Sequence, residues 1–196
     1  KLKFFNFNYF KFEDADFMIS KSGFSKQSGY EIYIENSNSG LKLYDHIIKI
    51  GNEFNLKPGC PNVIERIEGA LLSYGNDMDN NDNPFECGLD KYVNLESDID
   101  FLGKKALQKA KSAGIKRKLM GVKINDININ LTKEEKLFDD NKKTIGFLRS
   151  AVFSPRFKMI VGIAMINRDY CKDSQSFKIN INNKEIKGSI CDLPIN

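Results

Sequence analysis

Few side chains in this sequence are of a type and spacing that could do chemistry, and most of the usual ones are missing. There is a single histidine, His46, between Asp45 and Ile47 in an amphipathic helical pattern. That leaves almost no material for a His-based triad or a zinc centre. Cys60, Cys87, Cys171 and Cys191 form no C-x-x-C pair and follow no metal-ligand spacing, so they read as isolated reduced thiols of a cytoplasmic protein. The run Asp77-Met78-Asp79-Asn80-Asn81-Asp82 places oxygen ligands at alternate positions, as a calcium loop would. Its sixth position is Asp82 where such a loop needs Gly, and its twelfth is Gly88 where it needs a bidentate Glu. A solvated polar turn is expected there, and no metal.

A carboxylate and a guanidinium remain. Glu31 sits between Tyr30 and Ile32 in an alternating run, so on a strand it points to the face opposite theirs. It is either an ordinary exposed strand glutamate or an acceptor for the N–H groups of a ligand. Arg66 lies in a helical pattern whose Ile64 and Ile67 turn inward. With Glu65 it forms either a solvated face or a fork for a carboxylate or carbonyl.

The elements that must hold these residues follow from periodicity. Residues 2–12 alternate aromatic and polar positions, with Phe5, Phe7 and Tyr9 on one face, which predicts a half-buried strand. Strands over 16–22 and 30–35 flank a turn bracketed by Gly23 and Gly29. Leu41, Tyr44, Ile47, Ile48, Gly51 and Phe54 follow helical spacing, with Asn38 or Ser39 as N-cap. A second helix is expected over 62–73, closed by Gly75, and a third over 101–112, stopped by Gly114. Residues 76–100 read as loop with one short strand near 92–95. After Gly114 come short alternating runs at 119–124, 144–150, 159–166, 176–181 and 185–191, which indicate a small all-β domain. The expected class is α+β, with a boundary near 115 dividing 1–115 from a β domain over 116–196.

Composition bounds the function. The 196 residues are 41% hydrophobic and 29% charged, enough for a packed core and inconsistent with disorder. A net charge of +4 is too mild to argue for a nucleic-acid or membrane partner. No apolar run approaches the ~20 residues that span a bilayer.

Several segments carry a resemblance. Ser22-Gly23-Phe24-Ser25-Lys26-Gln27-Ser28-Gly29-Tyr30-Glu31-Ile32-Tyr33 resembles the S-x-T-G-Y-T-G-E-D-G-F-E-I segment of the glycine-cleavage T-protein (aminomethyltransferase) family. Ile64-Glu65-Arg66-Ile67-Glu68 with Leu72-Ser73-Tyr74-Gly75 is similar to its L-R-L-E…L-Y-G helix. Pro84-Phe85-Glu86-Cys87-Gly88-Leu89 and Phe101-Leu102-Gly103-Lys104-Lys105-Ala106-Leu107 resemble its P-x-E-A-G-L and F-I-G-K-x-A-L. Gly146-Phe147-Leu148-Arg149-Ser150 and Phe153-Ser154-Pro155 resemble the signature of its C-terminal barrel. Order and spacing over most of the chain make the family resemblance strong. Within the family, Gly59-Cys60-Pro61-Asn62-Val63-Ile64-Glu65-Arg66-Ile67-Glu68 and the Gly-Tyr-Glu-Ile-Tyr order at 29–33 look more like dimethylsulfoniopropionate demethylase, which carries Trp where this chain has Phe24.

The resemblance implies a partial folate-binding α+β fold followed by a C-terminal barrel, with tetrahydrofolate as cofactor and a methyl group passing from a sulfonium to folate N5. It implies that Glu31 binds the pterin, that Arg66 and Phe24 lie near the folate, and that Tyr33 and Phe24 face the sulfonium substrate. Cation–π contact there is worth roughly 0.5–2 kcal/mol per ring. Packing within the sheet is the alternative for Tyr33. Catalytic residues are not assigned, because sulfide leaves as a neutral group and alignment is the main requirement. Two other readings stay open: an aminomethyltransferase, whose partner would be a lipoylated carrier protein, and a non-catalytic folate-binding module. A homodimer is also left open. Family members are much longer and the matches begin past their midpoint, so Lys1 resembles a break in a chain, and this polypeptide alone is expected to bind folate weakly and turn over little.

Overall fold

The computed structural model describes residues 1–24, 28–59, 63–128, 131, 134–181 and 184–196. The chain divides into two compact units, Lys1–Asn62 and Val63–Asn196.

In the first unit, β1 (Phe7–Phe12), β2 (Ala15–Ser20) and β3 (Glu31–Tyr33) form an antiparallel sheet in that order. Phe12 pairs with Ala15 across a two-residue turn whose Glu13 takes a left-handed φ of 52°. Of the strand expected over 2–12, β1 forms only from Phe7, because Phe5 sits in a turn with a left-handed φ of 58°, and the expected half-burial is absent. Phe5, Phe7 and Tyr9 are all exposed, and only Phe17 of β2 is deeply buried in this unit's sheet. Helix α1 spans Ser37–Gly51, and its N-cap is Asn36 rather than Asn38 or Ser39. Asn36 is extended, and its side-chain oxygen accepts hydrogen bonds from the Asn38 and Ser39 amides at 3.0 and 3.3 Å. The helix ends in a 3₁₀ turn over Asn52–Phe54, with Asn55 left-handed. The His46 ring of α1 packs on Phe12, 4.8 Å between centroids.

The second unit opens with α2 (Val63–Glu68), shorter than periodicity suggests. It stops at Ala70, whose φ of 54° is left-handed, and the Leu71 amide donates back to the Arg66 carbonyl at 2.8 Å. Gly75 belongs to the following turn instead. Residues 90–92 form a 3₁₀ turn where a strand near 92–95 is expected, and α3 covers Lys104–Ala113. The 62–73 helix and the 22–33 motif each include positions outside the described residues, Asn62 and Ser25–Gln27.

From Arg117 the chain builds a closed antiparallel barrel: β4 (Arg117–Ile124), β5 (Glu135–Phe138), β6 (Thr144–Ser154), β7 (Met159–Asn167), β8 (Ser176–Ile181) and β9 (Lys184–Cys191). Around the barrel the order is β4-β7-β6-β5-β8-β9, and β9 pairs with β4 to close it. The fold is therefore α+β with an all-β barrel at its C-terminal end. Strand β7 explains why 159–166 reads as a continuous apolar run. Ile160, Ala164 and Ile166 face the barrel interior, while Val161, Ile163 and Met165 pack with Ile67 of α2 and Ile195 outside it. Burying both faces of one strand fixes α2 against the barrel. Strand β5 has no counterpart among the expected strands. It is four residues long, and only Leu137 is fully buried, too little for a periodic signal.

Candidate functional site

The residues expected to form a site are held in different ways. Glu31 opens β3 opposite Ser20, where antiparallel pairing and an alternating backbone put it on the same face as Tyr33. Its carboxylate accepts a hydrogen bond from the Ser22 hydroxyl, and Ser22 and Ser20 hydroxyls lie 2.5 Å apart. Since Ser22 donates to Glu31, Ser20 must donate to Ser22, so two serines orient one carboxylate. Tyr33 stands opposite Met18 and, like Glu31, is exposed. Phe24 is half exposed in a bend. A carboxylate oriented by hydroxyls beside an open aromatic face can accept N–H donors from a flat, polar ring.

Arg66 belongs to the second unit and is not part of a solvated face; its side chain is 13% exposed. Nη1 donates to the Asp77 carboxylate at 2.7 Å and Nη2 to the Ser150 hydroxyl of β6 at 3.1 Å. Asp77 also accepts from the Ser73 amide at 2.7 Å. The acidic run is only in part the solvated turn expected of it: Asp79, Asn80 and Asn81 are exposed. Asp77 is completely buried, and so is the side chain of Asp82.

Asp82 lies between two guanidinium groups, Arg149 at 2.5 Å and Arg117 at 2.9 Å. Arg117 also pairs with Glu86 at 3.0 Å, and Arg149 with Glu134 at 2.8 Å. Burial alone would push the Asp82 carboxyl up. The Arg149 hydrogen bond, the Asp79 amide and the charges of Arg149 and Arg117 outweigh it and hold the group below its ordinary range. Burial would lower the Arg149 pKa, but its bonds and charge pairing with Asp82 and Glu134 raise it. A carboxylate held ionised this way cannot serve as a general acid or base near neutrality. The network instead ties the 66–86 segment to the barrel.

The bulge in β6 makes this possible. Leu148 pairs with Ala164 and Ser150 with Ile163, so Arg149 is the extra residue. A bulge re-aims the side chains around it, and here Arg149 reaches Asp82 while the Ser150 hydroxyl accepts from Arg66 of α2. Composition gave no sign of this network. The one available signal was the Gly146–Ser150 motif, which contains both side chains. Among the described residues no group of three or more His, Cys, Asp or Glu side chains is placed to hold a metal ion, and no helix is long and apolar enough to cross a membrane.

Comparison with known proteins agrees with this architecture. Residues 1–97 match the GCVT N-terminal domain, and 117–195 match the glycine cleavage T-protein C-terminal barrel domain. The chain is 37% identical over 169 residues to the dimethylsulfoniopropionate demethylase of Ruegeria pomeroyi, covering 86% of this chain and 46% of that protein. It is 34% identical over 176 residues to the aminomethyltransferase of Alkaliphilus metalliredigens, covering 88% and 47%. The crystal structure of the glycine cleavage system aminomethyltransferase T from Bartonella henselae superposes with a TM-score of 0.78 at 22% identity over 91% of this chain and 49% of that one, a likeness of fold. The chain spans about half the length of the curated relatives it matches. Two domain matches in order, together spanning most of the sequence and both drawn from one protein type, make this chain a member of the glycine-cleavage T-protein family.

Proposed function

We propose that this chain is the folate-binding and barrel portion of a tetrahydrofolate-dependent methyltransferase that demethylates dimethylsulfoniopropionate. The observation that carries the reading is the 37% identity to a dimethylsulfoniopropionate demethylase across 86% of the chain. In the reaction, the lone pair of folate N5 attacks a methyl carbon on sulfur as the C–S bond breaks. The bonding pair stays on sulfur, which becomes a neutral sulfide, and N5 releases its proton to solvent. Because the leaving group departs uncharged, the chief task is alignment of N5, carbon and sulfur, for which positioning can supply on the order of 7–11 kcal/mol.

Glu31, oriented by Ser22, accepts the amino and ring N–H groups of the pterin. Tyr33, on the same face, and Phe24 present ring faces to the sulfonium cation. Phe offers a weaker face than Trp and no N–H donor, so the sulfonium is held less tightly than a Trp would hold it. Arg66 spends donors on Asp77 and Ser150 and offers the folate its remaining N–H groups. We place the boundary between the folate-binding region and the barrel domain near 115, between α3 and β4, and the protein in the cytoplasm.

A second reading is favoured by the relatives named aminomethyltransferase, such as that of Thermoanaerobacter pseudethanolicus at 33% identity over 97% of the chain. There the one-carbon donor is an aminomethyl group on a lipoylated carrier protein. The deciding assay gives the full gene product tetrahydrofolate with either dimethylsulfoniopropionate or an aminomethylated lipoyl carrier. Appearance of 5-methyltetrahydrofolate from the sulfonium supports the first reading, and methylenetetrahydrofolate from the carrier supports the second. Calorimetric binding of tetrahydrofolate with neither product points to a binding module. If Glu31→Ala leaves folate affinity unchanged, the pterin role of Glu31 is wrong.

A further inference from the structure

We infer that Tyr9 is a further substrate-binding residue: with Tyr33 it clamps the sulfonium of the methyl donor over Met18, an assignment that rests on the demethylase reading above. The pairing of the three strands of the first unit places these residues. Phe7 stands opposite Ser20 and Ser20 opposite Glu31, while Tyr9 stands opposite Met18 and Met18 opposite Tyr33. Directly opposed residues of an antiparallel pair share a face, so these two rows lie side by side on the face that carries Glu31. Phe12 and Phe17 lie on the other face, where the His46 ring of α1 packs on Phe12.

The Glu31 face is the open one. Phe7, Tyr9, Glu31 and Tyr33 are all exposed, and Ser20 and Met18 between them are half-buried. Adjacent strands lie about 4.8 Å apart, so the Tyr9 and Tyr33 backbones stand about 9.6 Å apart with Met18 as the floor between them. A cation seated midway lies about 5 Å from each ring, inside the ~6 Å over which a ring face attracts it. Phe7 braces the Tyr9 ring from the side, with 6.3 Å between centroids and an interplanar angle of 82°.

Charge and spacing select the sulfonium for this row. Lys11 and Asp16 oppose each other in a third row on the same face and cancel, which leaves the Glu31 carboxylate as the net charge of the three strands there. A face with one net negative charge and two tyrosine rings attracts a cation and disfavours an anion. Rows on one face repeat about every 6.7 Å along a strand. The Tyr9–Tyr33 row is one such step from Glu31, which leaves the carboxylate to the pterin proposed there and seats the sulfonium beside it. The Met18 thioether is apolar and polarizable, a floor that a methylated sulfur can rest on without losing a hydrogen bond.

The test is calorimetric titration of the whole chain with dimethylsulfoniopropionate and with 4-methylpentanoate, which has a neutral CH where the donor has its sulfonium. Saturable binding of the sulfonium is expected, about fivefold or more tighter than the neutral isostere, as two ring contacts would give. Tyr9→Leu should weaken the sulfonium by roughly 2- to 30-fold and leave the isostere unchanged, so the preference narrows. Tyr9→Phe keeps a ring face and should retain the preference, and Tyr9→Trp, with a stronger face, should widen it. A tyrosine that only packs in the sheet would weaken both ligands alike on replacement. That result, or an unchanged preference in Tyr9→Leu, overturns the proposal. So does absence of saturation, or equal affinity for the two ligands, in the parent chain. Turnover by the full gene product separates the clamp from the demethylase reading. Formation of 5-methyltetrahydrofolate with the same KM for the sulfonium in Tyr9→Leu as in the parent overturns the clamp and keeps the reading. No product from a parent that shows the expected binding pattern removes the reading and supports a cation clamp.

Discussion

Asp77 and Arg66 meet at 2.7 Å with the carboxylate wholly buried and the guanidinium nearly so. One Asp77 oxygen takes both the Arg66 and Ser73 donors, while Oδ1 has no hydrogen-bond partner among the described residues. Such a pair costs much to break and little to replace, because removing one partner strands a buried charge. Asp77→Ala is expected to lower unfolding stability by about 3–5 kcal/mol. The double change Asp77→Leu with Arg66→Met should recover most of that loss. Urea unfolding of Asp77→Leu, Arg66→Met and the double variant closes the cycle, and losses that simply add would show that the two groups are not coupled.

The same segment should be acid-labile. The Asp82 pKa is lower in the folded chain than its ordinary 3.8, because the Arg149 hydrogen bond, the Asp79 amide and the charges of Arg149 and Arg117 together outweigh burial. A depressed carboxylate stabilises the fold fully above its unfolded value and loses that contribution as pH falls through the folded one. Stability should therefore be flat with respect to Asp82 near neutrality and fall below about pH 4. Asp82→Asn should be less stable at pH 7, and the gap to the parent should narrow as the pH drops below that point. Thermal melts from pH 7 to pH 3 measure it, and a gap constant with pH would remove Asp82 from the account.

Much of this fold is legible in the sequence because one face or both faces of each element are apolar in the right period. The long strands β6 and β7 and helix α1 are of this kind. What escapes is held by interactions that leave no period. Strand β5 is placed by its neighbours β6 and β8, and its own four residues do not announce it. Asp77 and Asp82 read as solvated with the rest of their run because charge normally seeks water, and only the three-dimensional arrival of Arg66, Arg117 and Arg149 makes the burial of these two possible. Phe7 and Tyr9 show the converse: alternation predicts their strand but not whether anything covers its face. Glu31, Arg66, Phe24 and Tyr33 stand out through motif resemblance, and their electrostatic setting becomes visible only with Ser22, Asp77 and Ser150 in place.

Two cysteines should resist alkylation in the folded chain. Burial, with the Asp82 and Glu86 charges adding to it, pushes the Cys87 thiol up to about 11, and burial does the same to Cys191. At pH 8 the thiolate fraction then falls by roughly two orders of magnitude from that of a free cysteine, and the sulfur is enclosed as well. Iodoacetamide followed by peptide mass mapping should leave both unmodified in the native protein and label both in urea. Rapid native labelling of Cys87 would place its thiol in a different environment.

The bulge at Arg149 depends on a glycine across the ladder. Gly162 of β7 lies opposite Ala151, and a Cβ there would stand 2.6 Å from the Ser150 carbonyl oxygen and 2.8 Å from Leu148 Cδ1. The leucine can rotate away, but the carbonyl is backbone and must move with the strand. Moving it shifts Ser150, whose hydroxyl accepts from Arg66, and disturbs Arg149 beside it. Gly162→Ala should therefore cost about 1–3 kcal/mol as an overpacked core site, although alanine is the smallest change available. The loss should shrink when Ser150→Ala is already present, since part of the strain is then released from the Arg66 contact. Fully additive losses would confine the effect to the barrel wall and separate it from the network that fastens α2.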